Sequence, residues 1–193
     1  MPQVTDAFGS YRIAAEDYFK QLAAGFRVTA SLVCDSEGNT VNNHGSSKGL
    51  GNNTDLALLI SLRRQAEVIL TSGATFRADE YRFPKFADLA VLTNQEVEIA
   101  VPFGQRLHKL TGGYSSSLAD LRDLSYRKIH VEYGIKGVGE LIQQRRLDAL
   151  FLSSPSKSGL SKLAAQLGVD PDYIELSDLY VGLVAWQTNR LES

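Results

Sequence analysis

The sequence predicts an α/β fold of three layers, α/β/α, with a mixed, mostly parallel central sheet and an antiparallel hairpin at its C-terminal end. Three observations lead there. Short runs rich in β-branched and aliphatic residues alternate with longer helical stretches, the pattern of βαβ units. The 193 residues are one domain's worth, and no Pro/Gly/Ser-rich linker divides them. The last two apolar runs follow each other too closely for a crossover helix, which suits a hairpin at a sheet edge. The expectation is a single domain over residues 1–193, with 1–25 as an N-terminal helical extension.

Taken in order, residues 11–24 read as a helix carrying Ile13, Phe19 and Leu22 among charges, with Ser10 placed to cap it. Residues 27–34 (R-V-T-A-S-L-V-C) read as the first strand. A polar stretch, 35–53, is long for a compact domain, and loops of that length tend to carry function. Residues 55–65 form a helix on Leu56, Leu59, Ile60 and Leu62. Asn53 or Thr54 would cap it, and Arg63 and Arg64 suit its C-terminal end. Strands follow at 67–71, 89–93, 128–132 and 149–153, with helices at 118–124 and 137–145. Strands at 173–176 and 180–186 make the hairpin.

Composition excludes several function classes. Twenty basic against 22 acidic residues leave a formal charge of −2, which gives no electrostatic footprint for nucleic acid or an anionic membrane. No run approaches the ~18 apolar residues of a membrane helix, and the first ten residues lack a signal-peptide profile. Cys34 is the single cysteine, so neither an internal disulfide nor a Cys-rich zinc site is expected. These features predict a cytoplasmic protein with no metal, nucleic-acid or membrane partner.

Several short motifs carry nothing. Residues 45–49 (G-S-S-K-G) fit a nucleophile elbow by letter but follow a polar loop rather than a strand. His44, His108 and His130 lack ligand spacing, and His130, inside an apolar strand, reads as a hydrogen-bonded structural histidine. Residues 154–157 (S-P-S-K) lack the partner motifs of S-x-x-K enzymes. Two strand ends are more informative. Strand 67–71 runs into Ser72-Gly73-Ala74-Thr75, small residues that let a ligand approach the backbone, with Thr75 as a candidate helix cap. Strand 128–132 runs through Tyr133-Gly134 and Gly137-Val138-Gly139 into a helix. Exposed N–H groups and a helix dipole make such turns natural anion sites. Neither is a Rossmann or Walker A loop. Ligands of parallel α/β sheets bind beyond the carboxyl ends of the strands, where both turns lie.

Residues 69–81, I-L-T-S-G-A-T-F-R-A-D-E-Y, resemble the reductase domain of the bifunctional riboflavin-biosynthesis deaminase–reductase. That family reads apolar-apolar-x-G-x-G-T-V-x-A-[DE], with a serine/alanine variant that residues 72–75 match. Ser61-Leu62-Arg63 matches the L-R of its upstream helix, Val131-Glu132-Tyr133-Gly134 its E-G-G turn, and Leu147-Asp148-Ala149-Leu150 its L-V-D-E-L. The resemblance runs from about Arg27 to the C-terminus. It implies a dihydrofolate-reductase-like fold, NADPH as cofactor and a homodimer. It also implies reduction of the ribosyl group of a 5-amino-6-ribosylamino-pyrimidinedione 5-phosphate to ribityl by hydride transfer.

On that resemblance, Ser72, Gly73, Ala74 and Thr75 with Glu132, Tyr133, Gly134 and Gly137 would bracket the cofactor, and Thr93 and Asn94 would meet its 2′-phosphate. Ser47, Arg63, Asp79 and Arg82 would hold the substrate, arginine pairing with its phosphate. Glu37 or Asp35 would polarise or protonate it; residues 35–38 (D-S-E-G) stand where the family has S-x-D-G. Tyr133 replaces the first glycine of the E-G-G turn, which places a large ring beside the cofactor. That substitution motivates an alternative: a nucleotide-binding or dimerisation module of the same fold without turnover, or else a reductase of another heterocycle. The zinc-binding residues of the deaminase half are missing, so a stand-alone reductase is expected.

Overall fold

The structure, a computed structural model, describes residues 3–4 and 13–186. Eight strands form one sheet: β3 (Val28–Val33), β4 (Val68–Ser72), β5 (Asp88–Leu92), β6 (Leu107–Leu110), β7 (Ile129–Glu132), β8 (Ala149–Ser154), β9 (Asp172–Glu175) and β10 (Tyr180–Ala185). Their order across the sheet is β6-β5-β4-β7-β3-β8-β10-β9. The first six in that order pair in parallel, and β10 pairs antiparallel with both β8 and β9. The three-layer, mostly parallel architecture with a C-terminal hairpin is thus the one the sequence predicts.

Period-two alternation divides the strands between two layers. Val28, Ala30, Leu32, Val68, Leu70, Leu150 and Leu152 enter a core built with α4 (Tyr114–Asp123), α5 (Ile135–Gln143) and α6 (Lys157–Leu167). Ala149, Phe151 and Val181 pack on the other face with Leu58 and Leu62 of α2 (Asn53–Gln65) and Phe19 of α1 (Ala15–Leu22). Ile69, Leu89 and Val91 continue that face toward Phe76 of α3 (Gly73–Ala78).

The N-terminal region departs from a plain helix. Ile13 and Ala14 belong to β2 (Ile13–Ala14), which pairs antiparallel with β1 (Gln3–Val4), and helix begins only at Ala15. Phe19 is fully buried, so α1 is part of the core rather than an appendage. The predicted Ser10 cap lies outside the described residues. The cap of α2 is Asn52, one residue before the predicted candidates; its side chain accepts from the N–H groups of Thr54 and Asp55. Among the described residues no helix is long and apolar enough to cross a membrane.

Candidate active site

The carboxyl ends of β3, β4, β7 and β8 open into a cavity of about 570 Å³, within the range of small-molecule sites. Strand ends supply Val33, Ser72, Glu132 and Ser153. Helix α2 supplies Asp55, Leu58 and Leu59, spaced one turn apart on one face. A second cavity of about 390 Å³ lies alongside, lined by Arg77, Thr93, Asn94, Gly112 and Gly113 among others. Ser72, Ala74, Tyr114 and Lys136 line both.

Both strand-end turns singled out in the sequence meet here. Ser72, rather than Thr75, is the cap of α3: its Oγ accepts from the Thr75 N–H at 3.1 Å, and the two hydroxyls are 3.0 Å apart. Ser72, Ala74 and Thr75 line the larger cavity, while Gly73, Thr93 and Asn94 line the smaller. The Gly73 backbone comes so close to β5 that a Cβ there would stand 2.6 Å from Thr93 Oγ1 and 3.1 Å from Arg77 Nη1. Those two polar atoms therefore sit side by side against a bare backbone. Arg77 was not marked by any motif; only its place one turn along α3 brings it here.

At the second turn, Gly134 caps α5 and has open space where a Cβ would be, and Gly134, Ile135 and Lys136 at the start of α5 line the cavity. Tyr133 lines the larger cavity from within the core shared with α4 and α5. The residue is 2 % exposed, its ring stands edge-on to Tyr114 at 4.9 Å, and its hydroxyl meets Ser117 Oγ at 2.8 Å. Gly137 lines the cavity, and its missing side chain serves packing: a Cβ would lie 2.9 Å from both Tyr114 and Tyr133.

The predicted substrate residues divide. Ser47 and Asp79 line the larger cavity and are bound to each other, Ser47 donating through N–H at 3.0 Å and Oγ at 2.9 Å. Ser46 Oγ adds a third bond to Asp79 at 2.6 Å, so Asp79 ties the long polar loop to the end of α3. Arg63 does not line the cavity. Its Nε and Nη2 grip Glu132 at 2.6 and 2.7 Å, and its Nη2 also donates to Tyr81 Oη at 3.0 Å. The Tyr81 hydroxyl donates to the same carboxylate at 2.6 Å. Burial works against the Arg63 charge, but Glu132 outweighs it and raises the guanidinium pKa; burial likewise pushes Glu132 up, and Arg63 more than reverses it. One turn beyond Leu59 on α2, Arg63 thus reaches the end of β7, where it pairs with Glu132 rather than lining the cavity. Arg82 is exposed and lines neither cavity.

Glu37 and Asp35, the expected catalytic acids, also lie away from both cavities. Asp35 closes a tight turn, accepting from the N–H groups of Glu37 and Asn39 and from the Asn39 side chain, which holds its carboxyl below the usual value. Glu37 pairs with Lys162 at 2.6 Å. The turn packs on α6, where Gly159 approaches so closely that a Cβ would meet the Asp35 carbonyl at 2.1 Å. Both acids are held on the helix side of the sheet end.

The carboxyl that does reach the cavity is Asp55, which the sequence reading passed over as a first-turn residue of α2. Burial raises its pKa, partly offset by the Ser153 hydroxyl donating at 2.5 Å. Among the described residues no other donor reaches this side chain. The signal available in the sequence was an acid at the start of a helix that follows the first core strand, beyond the carboxyl end of a parallel sheet. Below the cavity floor His130 is fully buried, with Nδ1 2.9 Å from Thr29 Oγ1 and Nε2 3.1 Å from Ser31 Oγ. Burial holds its pKa at about 4, so the imidazole is neutral. It is the hydrogen-bonded structural histidine that its strand context predicts.

No family model matches the sequence, and neither do the curated proteins compared with it. Solved structures do. A pyrimidine reductase-like protein of Corynebacterium diphtheriae superposes with a TM-score of 0.64 at 15 % identity, over 86 % of this chain and 98 % of its own. A riboflavin biosynthesis reductase of Saccharomyces cerevisiae gives 0.58 at 10 % identity, over 82 % and 89 %. The dihydrofolate reductase of Enterococcus faecalis, solved with NADP(H), gives 0.55 at 13 % identity, over 83 % and 97 %. At these identities the likeness is one of fold, and the chain has the dihydrofolate-reductase-like fold.

Proposed function

We propose that the protein is an NADPH-dependent reductase of the pyrimidine-reductase type, acting on a nitrogen heterocycle held over Asp55. One observation carries this reading: two adjoining cavities at the carboxyl ends of parallel strands, one flanked by Arg77, Thr93 and Asn94, the other mostly apolar with a single carboxyl open to a ligand. The three structures of like fold named above are described as reductases or reductase-like.

The residues fit a phosphorylated dinucleotide. Arg77, Thr93 and Asn94 would take the 2′-phosphate, the missing Cβ of Gly73 making room for the Thr93 and Arg77 side chains against its backbone. The opening N–H groups of α5 and the Lys136 ammonium would take the diphosphate. Bound there, NADPH supplies a hydride from C4 of its dihydronicotinamide. Asp55 orients the ring by accepting from its N–H groups. Leu32, Leu58 and Leu59 exclude water around that carboxyl. A cytoplasmic homodimer is part of the same proposal, and sedimentation of the purified chain checks the dimer.

Fluorescence titration tests the cofactor: NADPH is expected to bind more tightly than NADH, and flat curves for both would refute the reading. NADPH oxidation in the presence of ribosylamino-pyrimidinediones tests the reaction. Asp55→Asn is expected to lower kcat by about 10²-fold, the cost of losing the group that positions the ring. An unaffected kcat would remove Asp55 from the chemistry.

A further inference from the structure

The charges around the larger cavity bear on which heterocycle it accepts, an inference that rests on the reductase reading. Three carboxylates line it, and two are engaged. Glu132 receives Arg63 twice and Tyr81 once; Asp79 receives Ser46 once and Ser47 twice. Asp55 receives only Ser153. Its Oδ2 lies against Gly51, where a Cβ would come within 2.0 Å, so the backbone gives way to keep the carboxyl in place.

The cations are distributed differently. Among the described residues, His44 and Lys136 are the only basic side chains lining this cavity. Lys136 also lines the smaller cavity at the start of α5, on the cofactor's side. His44 is exposed on the loop that Asp79 anchors. Arg63 of α2 is folded onto Glu132 and lies over Tyr81, with its Cζ 5.2 Å from that ring's centre. Among the described residues no guanidinium lines this cavity to pair with a substrate phosphate, and Asp55 stands there without a cation. Like charges in a slot walled by Val33, Leu58 and Leu59 are poorly screened. A ring bearing N–H donors meets the opposite situation, since an ionised carboxylate only accepts.

We propose that the substrate site selects an unphosphorylated nitrogen heterocycle through Asp55, the internal Arg63–Glu132 pair having removed the guanidinium that would recognise a phosphate. Asp55 is the specificity-determining residue, and the discrimination is electrostatic. The test is calorimetry with two probes, 5-amino-6-ribosylamino-pyrimidinedione and its 5′-phosphate, each titrated with and without NADP⁺. The riboside is expected to bind at least tenfold more tightly than the phosphate. Asp55→Asn keeps the shape but removes the charge, and is expected to shrink that ratio several-fold by relieving the phosphate. Equal or tighter binding of the phosphate overturns the proposal, as does an unchanged ratio in Asp55→Asn or binding of neither probe. Failure of NADP⁺ to bind counts against the reductase reading instead, and the probe ratio without nucleotide still judges this one.

Discussion

Replacing Glu132 by glutamine tests the buried cluster at the end of β7. The Glu132 side chain is 10 % exposed and its partner Arg63 28 %, so the pair is largely withdrawn from water. Glutamine keeps the volume but removes the charge, leaving a guanidinium with only the Tyr81 hydroxyl and a neutral amide for company. Stranding one member of a buried pair costs about 3–5 kcal/mol. The partial exposure of Arg63 puts the expected loss at the lower end, about 3 kcal/mol. In a domain of this size that is a fall in Tm of roughly 6–12 °C. The assay is thermal and urea unfolding of Glu132→Gln, Arg63→Met and the double variant Arg63→Met/Glu132→Leu. The double variant is expected to recover much of the loss, because no charge is left behind. A pH series adds a sign: the Glu132 pKa is lowered in the fold, so its contribution is present at neutral pH and fades as pH falls through that lowered value. Single variants within 1 kcal/mol of the parent, with no coupling between the sites, would refute the reasoning and class the pair with exposed ones.

His130 gives a second pH prediction of distinct range. Its pKa is about 4 in the fold against an ordinary 6.5, so the unfolded chain binds the extra proton in between. Stability is therefore expected to fall by about 3 kcal/mol as pH drops from 7 to 4 on this account; His130→Gln should flatten that part of the urea-unfolding profile, and parallel profiles would count against it. Arg77→Ala is expected to weaken NADPH by tenfold or more, about the worth of a charge-assisted hydrogen bond, and to leave NADH unchanged in the same titration. Equal losses for both nucleotides would move Arg77 away from the 2′-phosphate.

The strands were legible because their β-branched and aliphatic runs are buried on both faces: β4 is buried at all five positions and β8 at all six. Strand β6 went unread since Leu107-His-Lys-Leu110 is short and lies at the sheet edge, where apolar enrichment is not required. Helix α6 went unread because glycine, serines and alanines dilute its apolar face. The two glycine turns were readable as ligand-facing, since a bare backbone at a strand end is a local property. The fates of Arg63 and Asp55 were not local. They lie eight residues apart on one helix, and which of them meets the cavity depends on where Glu132 arrives from a strand far along the chain. The burial of Tyr133 was not legible for a similar reason: a motif aligned by letter does not say which way a strand end turns its side chain.

The strand order has a consequence for how the chain comes to be folded. Strand β3 is the first of the main sheet to be made, yet both its neighbours come late, Val28 pairing with Ile129 and Thr29 with Ala149. Strands β4, β5 and β6 can zip together in the order they are synthesised, but they cannot shelter β3. A growing chain therefore carries an apolar strand with two bare edges until β7 and β8 arrive, a long-range closure of the kind that slows folding and invites misassociation. The cavity walls come from those same strands. The larger cavity is thus complete only once β8 has paired, and a ligand held in it can stabilise this protein only after its sheet has closed.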